Sequence, residues 1–209
     1  MEWLVKTVVA ALISFFIPWF LKRVLPEPGA SVETSPSAAR AFPWFGWIAG
    51  LAVAGGVAGI VSGVMGLVLG GVANWAIFGA MIGVVQWVYL YRMVDVGPWF
   101  ALASALGWAT FIFVQPIGHP TWAAVGLVVG LLQWFGLLGK VKGAFWWVPA
   151  NALAWFVAGM AGIGVGAAIT EGANFAIAWV VGWTCVGAVG AVVLAAPLSW
   201  MWKRTNTTG

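Results

Sequence analysis

The sequence predicts an all-α membrane protein with seven transmembrane helices: one N-terminal helix, then three helical hairpins that repeat in parallel. Hydrophobic residues make up 63% of the chain and charged residues only 7%, which leaves too few polar groups to cover a water-facing surface. The apolar residues form stretches of roughly 20, the length of helix that crosses about 30 Å of hydrocarbon. Their apolarity is continuous and not alternating, which favours helices over the strands of a barrel.

The predicted spans follow one another with mostly short connections. In chain order they are Leu4–Leu21, Trp44–Leu69, Ala73–Tyr91, Val96–Gly118, Trp122–Leu138, Phe145–Ile169 and Phe175–Trp202. A run rich in Pro, Ser and Ala over 26–43 interrupts the hydrophobicity and predicts a polar linker on the inner side. The chain therefore divides into a peripheral first helix (1–25), the inner linker (26–43), a six-helix repeat body (44–203) and a C-terminal tail (204–209).

The basic residues predict the orientation of these spans. If the amino terminus is outside, only Lys6 among the nine basic residues is outer. The inner residues are Lys22, Arg23, Arg40, Arg92, Lys140, Lys142, Lys203 and Arg204. Because basic residues near helix ends resist translocation, we expect an N-out, C-in protein of a bacterial inner membrane. The same placement argues against nucleic acid as a partner, despite the net charge of +4.

Two parts of the body repeat one another. Residues 79–109 and 126–156 align without gaps at an offset of 47. The offset superposes Gly79 on Gly126, Gly83 on Gly130, Gln86 on Gln133 and Trp108 on Trp155. A second echo, at an offset of 100, joins ANWAI at 73–77 with ANFAI at 173–177. Since the repeat advances by two crossings, its copies are parallel, and we expect three hairpins with approximate threefold pseudosymmetry.

Glycine stripes in the body predict close helix packing. They comprise Gly55, Gly59, Gly63, Gly79, Gly83, Gly126, Gly130, Gly162 and Gly166. Spacings of three and four residues put each stripe on one helix face. Glycine lets backbones approach closely, and in lipid this packing replaces the hydrophobic drive that apolar helices lack. We expect these faces to contact other helices, and in the leading hypothesis those of partner subunits.

Four polar side chains fall inside predicted spans. The pairs Gln86 with Ser104 and Gln133 with Asn151 could hydrogen-bond across each hairpin, with each bond contributing about 0.6–2 kcal/mol. Alternatively, the two glutamines point into a central cavity and bind a carbonyl or a polar head group. Both interpretations follow from the same requirement that an amide in hydrocarbon needs a partner.

Three further residues are candidates for ligand contact. Trp108 and Trp155 are repeat equivalents near mid-membrane, where an indole N–H needs a partner. We expect them either to fill space beside the glycines or to form a hydrophobic pocket for a lipid, quinone or pigment ring. His119 lies in a predicted outer turn and is either a pigment ligand or simply solvated. No acidic residue lies within a predicted span, and no metal or catalytic constellation is expected.

The repeated motif G-x-x-x-G-x-x-Q-W occurs at 79–87 and 126–134, and after the turn both copies have an aromatic residue followed by x-x-A-x-x-x-x-W, at 100–108 and 147–155. It resembles that of uncharacterised multi-pass membrane proteins of green filamentous phototrophs and cyanobacteria. The likeness covers about residues 44–190, although the basic pair that often follows the Q-W helix is here only Arg92 in one copy. The resemblance implies a hairpin fold and a phototrophic membrane, with no assigned activity.

Two functions remain open from the sequence. The leading hypothesis is a non-catalytic integral subunit that packs against partner helices in a larger membrane complex, with lipid, quinone, carotenoid or chlorophyll between them. The alternative is a passive transporter or channel for a small, weakly polar solute, with Gln86 and Gln133 facing the pore. A continuous cavity through the body would favour the alternative, and a packed core would oppose it.

Overall fold

The computed structural model describes residues 44–170 and 174–206, all within the second of the chain's two units, residues 42–209. The predictions for the first helix (1–25) and the linker (26–43) lie outside the described residues. Every regular element in the described ranges is helical. The predicted all-α class is confirmed for this part of the chain.

The described residues form seven α-helices, one of them a single turn, and two short 3₁₀ segments. The α-helices are α1 (Trp44–Leu69), α2 (Gly71–Val94), α3 (Trp99–Ala109), α4 (Phe111–Val114), α5 (Thr121–Leu137), α6 (Trp147–Thr170) and α7 (Phe175–Asn206). The 3₁₀ segments are Gln115–Ile117 and Ala144–Trp146.

Five helical segments in the described part are long and apolar enough to cross a membrane. They are Trp44–Gly66, Gly71–Tyr91, Trp99–Ile117, Ala144–Thr170 and Phe175–Met201. The sixth apolar helix, α5, has 17 residues and is shorter than these. The protein is therefore an integral membrane protein of the multi-pass helical type.

The predicted span 96–118 is not one straight helix. Helix α3 ends at Ala109, and the chain continues through α4 and the 3₁₀ segment Gln115–Ile117. Pro116 lies in that segment, where its missing N–H and fixed φ favour a tight short turn over a continuing α-helix. The hydroxyl of Thr121 donates to the carbonyl of Val114 at 2.8 Å, which fixes the start of α5.

A single residue, Gly70, separates α1 from α2. Its φ of 84° lies in the left-handed region, which glycine adopts without steric cost. Its N–H donates to the Gly66 carbonyl at 3.2 Å, and its carbonyl accepts from the N–H of Asn74 at 3.1 Å. This turn reverses the chain so that α1 and α2 pack side by side.

The long helices form a closed ring. Along the chain α1 packs on α2, α2 on α3, α3 on α5, α5 on α6 and α6 on α7. Helix α7 also packs along α1, which closes the ring. Every long helix in the described part therefore has two helical neighbours, and its remaining surface carries exposed large apolar side chains, as a lipid-facing surface requires.

Two hydrogen bonds show which helix ends lie at the same end of the ring. The hydroxyl of Tyr89, late in α2, donates to the carbonyl of Gly46 at the start of α1 at 2.7 Å. The amine of Lys140, after α5, donates to the carbonyl of Asp95, after α2, at 2.7 Å. The loops after α2 and after α5 therefore lie at the same end of the ring as the start of α1.

Candidate functional site

The glycines of α1 lie against α7. A Cβ atom on Gly55 would meet the carbonyl of Trp183, and one on Gly59 would lie within 2.7 Å of the Trp183 side chain. Further along the same helix, Gly63 comes close to the indole of Trp179, with 3.3 Å between the Cβ position and Nε1. This stripe is therefore occupied by a helix of the same chain.

The glycines of α2 and α5 face the helices that follow them. A Cβ on Gly79 would lie 2.5 Å from the Ser104 carbonyl oxygen, and one on Gly83 would meet the Cβ of Ser104. On α5, Gly126 is packed against the backbone of Asn151, and Gly130 lies at 3.0 Å from the Cα of Val148. On α6, a Cβ on Gly162 would be 2.9 Å from the carbonyl oxygen of Gly182, while the contact of Gly166 with Ala178 is an ordinary 3.6 Å.

In the described part of the chain, the glycine faces pack against other helices of the same chain. All nine predicted glycines contact helices of this chain. The close approach lets the ring close without a hydrophobic drive between helices. A partner subunit would have to use a different surface.

A buried hydrogen-bond network joins α2, α5 and α6. Gln133 Nε2 donates to Gln86 Oε1 at 2.8 Å, and the indole N–H of Trp147 donates to Gln133 Oε1 at 2.9 Å. Asn151 Nδ2 donates to the carbonyl of Trp147 at 2.9 Å, and the indole N–H of Trp155 donates to Asn151 Oδ1 at 3.2 Å. All five side chains are buried.

The predicted pairing across each hairpin is wrong. Gln86 bonds to Gln133 and not to Ser104, and Gln133 bonds to Trp147 and not to Asn151. The reason is geometric: Ser104 packs against Gly83, three residues before Gln86, so the longer amide extends past it to the neighbouring hairpin. The sequence reasoning also missed Trp147 as a hydrogen-bond donor.

The two glutamines do not face an open cavity. Gln86 and Gln133 are each 0% exposed, and their amides bond to one another. Buried apolar side chains surround this level of the ring, among them Ile82, Val129 and Leu194. The packing opposes a water-filled pore along these glutamines in the described structure.

Trp108 and Trp155 lie in the packed interior. Their rings meet edge to face with centroids 4.9 Å apart, and neither is exposed by more than 1%. Trp108 also lies directly beside Gly79, where a Cβ would be 2.6 Å from that of the tryptophan. Both rings therefore fill space in the packed interior, and that of Trp108 does so beside a glycine.

Both tryptophans belong to a larger aromatic cluster. Its members are Trp75, Phe78, Trp108, Phe111, Trp122, Trp155, Trp179 and Trp183. The rings of Trp75 and Phe111 stack at 3.9 Å, and that of Trp183 lies 5.7 Å from Trp75 and 6.0 Å from Trp122. Such contacts add to the burial of large apolar area. The cluster packs α2, α3, α4, α5, α6 and α7 together.

His119 is exposed in the turn between the Gln115–Ile117 segment and α5. Among the described residues there is no group of three or more His, Cys, Asp or Glu side chains placed to hold a metal ion. Cys185 is a half-buried free thiol within α7. The candidate pigment ligand is thus apart from the buried polar network.

An apolar groove of about 210 Å³ lies between α6 and α7. Its lining residues are Trp122, Gly162, Ile163, Gly166, Ala167, Thr170, Phe175, Ala178, Trp179, Gly182, Trp183 and Val186. Small residues on both helices leave the space that forms the groove, and three tryptophans supply large flat surfaces. Trp108 and Trp155, the predicted pocket residues, are not among those that line it.

Two of the tryptophans that line the groove, Trp122 and Trp183, differ from its other polar residues in their hydrogen bonding. The Thr170 hydroxyl already donates to Gly166 at 2.7 Å, and the Trp179 indole to Gly59 at 3.0 Å. The indole N–H groups of Trp122 and Trp183, in contrast, have no acceptor in the part of the chain that is described, yet neither is a fully buried orphan. A bound molecule with an acceptor oxygen would satisfy them.

The sequence reasoning did not predict the groove. The one sequence feature near it was the small-residue stripe with Gly162 and Gly166, which predicted helix packing and not an opening between helices. Comparison with known proteins gives no further guide: no family model, curated protein or solved structure matches the chain.

Proposed function

We propose that this protein is a non-catalytic integral membrane protein of a bacterial inner membrane that holds a lipid-like molecule in the groove between α6 and α7. The molecule would have a long apolar chain and a carbonyl oxygen, as acyl lipids and quinones do. The observation that carries the proposal is the groove itself, which combines an apolar lining with two tryptophans, Trp122 and Trp183, whose indole N–H groups make no hydrogen bond among the described residues.

The chemistry of the lining supports a lipid-like occupant over a polar solute. Among the described residues, no lining residue is charged, and the one lining hydroxyl, on Thr170, already donates to the Gly166 carbonyl. A polar solute would lose its hydration in this groove and gain few hydrogen bonds in return. An apolar chain that enters from the bilayer has no hydration to lose, because both the bilayer and the groove are apolar.

We further infer seven crossings with the amino terminus outside. The six apolar segments of the body alternate in direction, and the predicted span 4–21 adds one more. The loop that carries Lys140 and Lys142 lies at the same end of the ring as the end of α2, whose last turn contains Arg92. Gathering basic loops at one end is what the positive-inside rule expects of a cytoplasmic face.

We infer that the ring consists of three hairpin copies, with the third formed by α7 and α1. Three equivalent glycines support this, because Gly79, Gly126 and Gly187 pack on the backbone of the next helix in the unit, at Ser104, Asn151 and Leu51. Large side chains on the inner faces of the helices follow the same register. They are Trp75, Trp122 and Trp183 at one level, Gln86, Gln133 and Leu194 at the next, and Leu90, Leu137 and Leu198 at the last.

Membership in a larger complex stays a prediction, but the glycine stripes no longer support it. The glycine stripes that suggested partner helices are engaged within the chain, so a partner would bind elsewhere on the lipid-facing surface. Purification in mild detergent from the native membrane would reveal a partner subunit as a second stoichiometric polypeptide.

The groove is tested by filling it. Ala167 and Ala168 are both exposed near the end of α6, but only Ala167 lines the groove. The variants Ala167→Phe and Ala168→Phe add the same side chain to the same helix, one inside the groove and one outside. Each protein is purified in mild detergent, and its organic extract is analysed by mass spectrometry for acyl lipids, quinones and carotenoids.

We expect a quinone or acyl lipid at about one molecule per chain in the wild type and in Ala168→Phe. In Ala167→Phe its amount should fall at least several-fold. Equal amounts in both variants, or none in the wild type, would contradict the proposal. A carotenoid in place of a carbonyl-bearing molecule would contradict the role given to the indoles of Trp122 and Trp183.

A further inference from the structure

Helix α3 carries two buried polar atoms without a hydrogen-bond partner. These are the hydroxyl oxygen of Ser104 and the indole Nε1 of Trp108, and both side chains are 0% exposed. Leaving such a group unpaired in an apolar interior costs about 1–3 kcal/mol. Two of them on one helix, four residues apart, lie on one face one turn apart.

The equivalent helix satisfies the same positions. In α6, Asn151 stands four residues before Trp155, and its Oδ1 accepts the indole hydrogen at 3.2 Å. The offset of 47 places Ser104 on Asn151 and Trp108 on Trp155. Serine ends where the carboxamide carbon of asparagine would be, so it is shorter by one C=O bond, about 1.2 Å.

We propose that a buried water molecule binds between Ser104 and Trp108 in place of the asparagine carboxamide. The water accepts the hydrogen of Trp108 Nε1 and donates to the oxygen of Ser104, so that both atoms gain a partner. Buried waters in proteins occupy such sites, where otherwise unsatisfied polar groups converge. The site is formed by the serine side chain and does not depend on the groove between α6 and α7.

Gln86 Nε2 is also unpartnered and has a separate explanation. Gln133 Nε2 donates to Gln86, and the next position around the ring is Leu194, which offers no acceptor. The orphaned amide hydrogens therefore mark the point where the third copy has leucine. This argument rests on the proposed three-copy ring, whereas the water site rests on the two unpartnered atoms of Ser104 and Trp108 and on the comparison with Asn151 and Trp155.

The direction of a stability change distinguishes a hydrated site from a dry one. Ser104→Ala removes one anchor of the water and leaves Trp108 unpartnered, so we expect the thermal midpoint in detergent to fall by a few degrees. If the site is dry, the same change removes an unsatisfied hydroxyl and the midpoint rises. A midpoint that rises or does not move overturns the proposal. Ser62→Ala is the control for loss of a buried hydroxyl that already has a partner within the protein. The Ser62 hydroxyl donates to the Gly59 carbonyl at 3.4 Å, so its removal does not depend on a bound water.

A second measurement needs no substitution at the site. Water-edited solid-state NMR on deuterated protein in bilayers transfers magnetisation from bound water to nearby indole N–H groups. We expect transfer to Trp108 and several-fold weaker transfer to Trp155, whose N–H is bonded to Asn151. The variants Trp108→Phe and Trp155→Phe assign the two signals. Equal transfer to both, or none to Trp108, overturns the proposal.

Discussion

Replacing Gln133 by leucine tests the buried network most directly. Gln133 donates to Gln86 and accepts from Trp147, so Gln133→Leu removes two hydrogen bonds. It also leaves the Trp147 indole and the whole Gln86 amide without partners. A leucine side chain should fit at position 133, because Leu194 already lies fully buried at the proposed equivalent position in the ring.

The size of the effect follows from the number of bonds lost. Interhelical hydrogen bonds in membrane proteins contribute about 0.6 kcal/mol on average and up to about 1.7. We therefore expect Gln133→Leu to lower the free energy of unfolding by about 1–3 kcal/mol, including the orphaned groups. Gln86→Leu breaks one bond and leaves Gln133 Nε2 without an acceptor, but it also removes the unpartnered Gln86 Nε2, so its cost should be smaller, about 1 kcal/mol.

The double variant gives the sharpest outcome. Once Gln133 is leucine, the Gln86 amide is a buried group without any partner, and replacing it as well should restore stability. Unfolding is followed by tryptophan fluorescence or circular dichroism during titration from mild detergent into dodecyl sulfate. Leu131→Met on the exposed face of α5 is the control and should change stability by no more than about 0.5 kcal/mol. A double variant less stable than Gln133→Leu alone would refute the reasoning.

Two further predictions concern packing and topology. Gly126→Ala should destabilise the protein by about 1–3 kcal/mol, because its Cβ would meet the backbone of α6, whereas Gly164→Ala, with open space around it, should be neutral or slightly stabilising in the same titration. In a Cys185→Ala background, His119→Cys should react with a membrane-impermeant maleimide from the outside of intact cells and Lys142→Cys only after lysis. Equal loss of stability in the two glycine variants, or labelling of both cysteines from the same side, would contradict these predictions.

The sequence by itself determined that the chain lies in a membrane and where its helices begin and end. Its continuous apolar stretches predicted the helical segments of the body to within a few residues, apart from the break after Ala109. A helix in lipid must satisfy its backbone hydrogen bonds internally, so apolar length alone is enough to predict it. The glycine spacing likewise predicted close packing, since removing a side chain has the same consequence whichever helix lies opposite.

The tertiary structure decided which groups meet. The sequence could not choose between partner helices and the chain's own helices as neighbours of Gly55, and only the packing of α7 on α1 made that choice. Gln86 found Gln133 and not Ser104, because a long amide reaches whichever polar group the closed ring brings within 3 Å. The groove between α6 and α7 has the same origin: its walls come from separate helices, and their separation is set by how all the helices pack together.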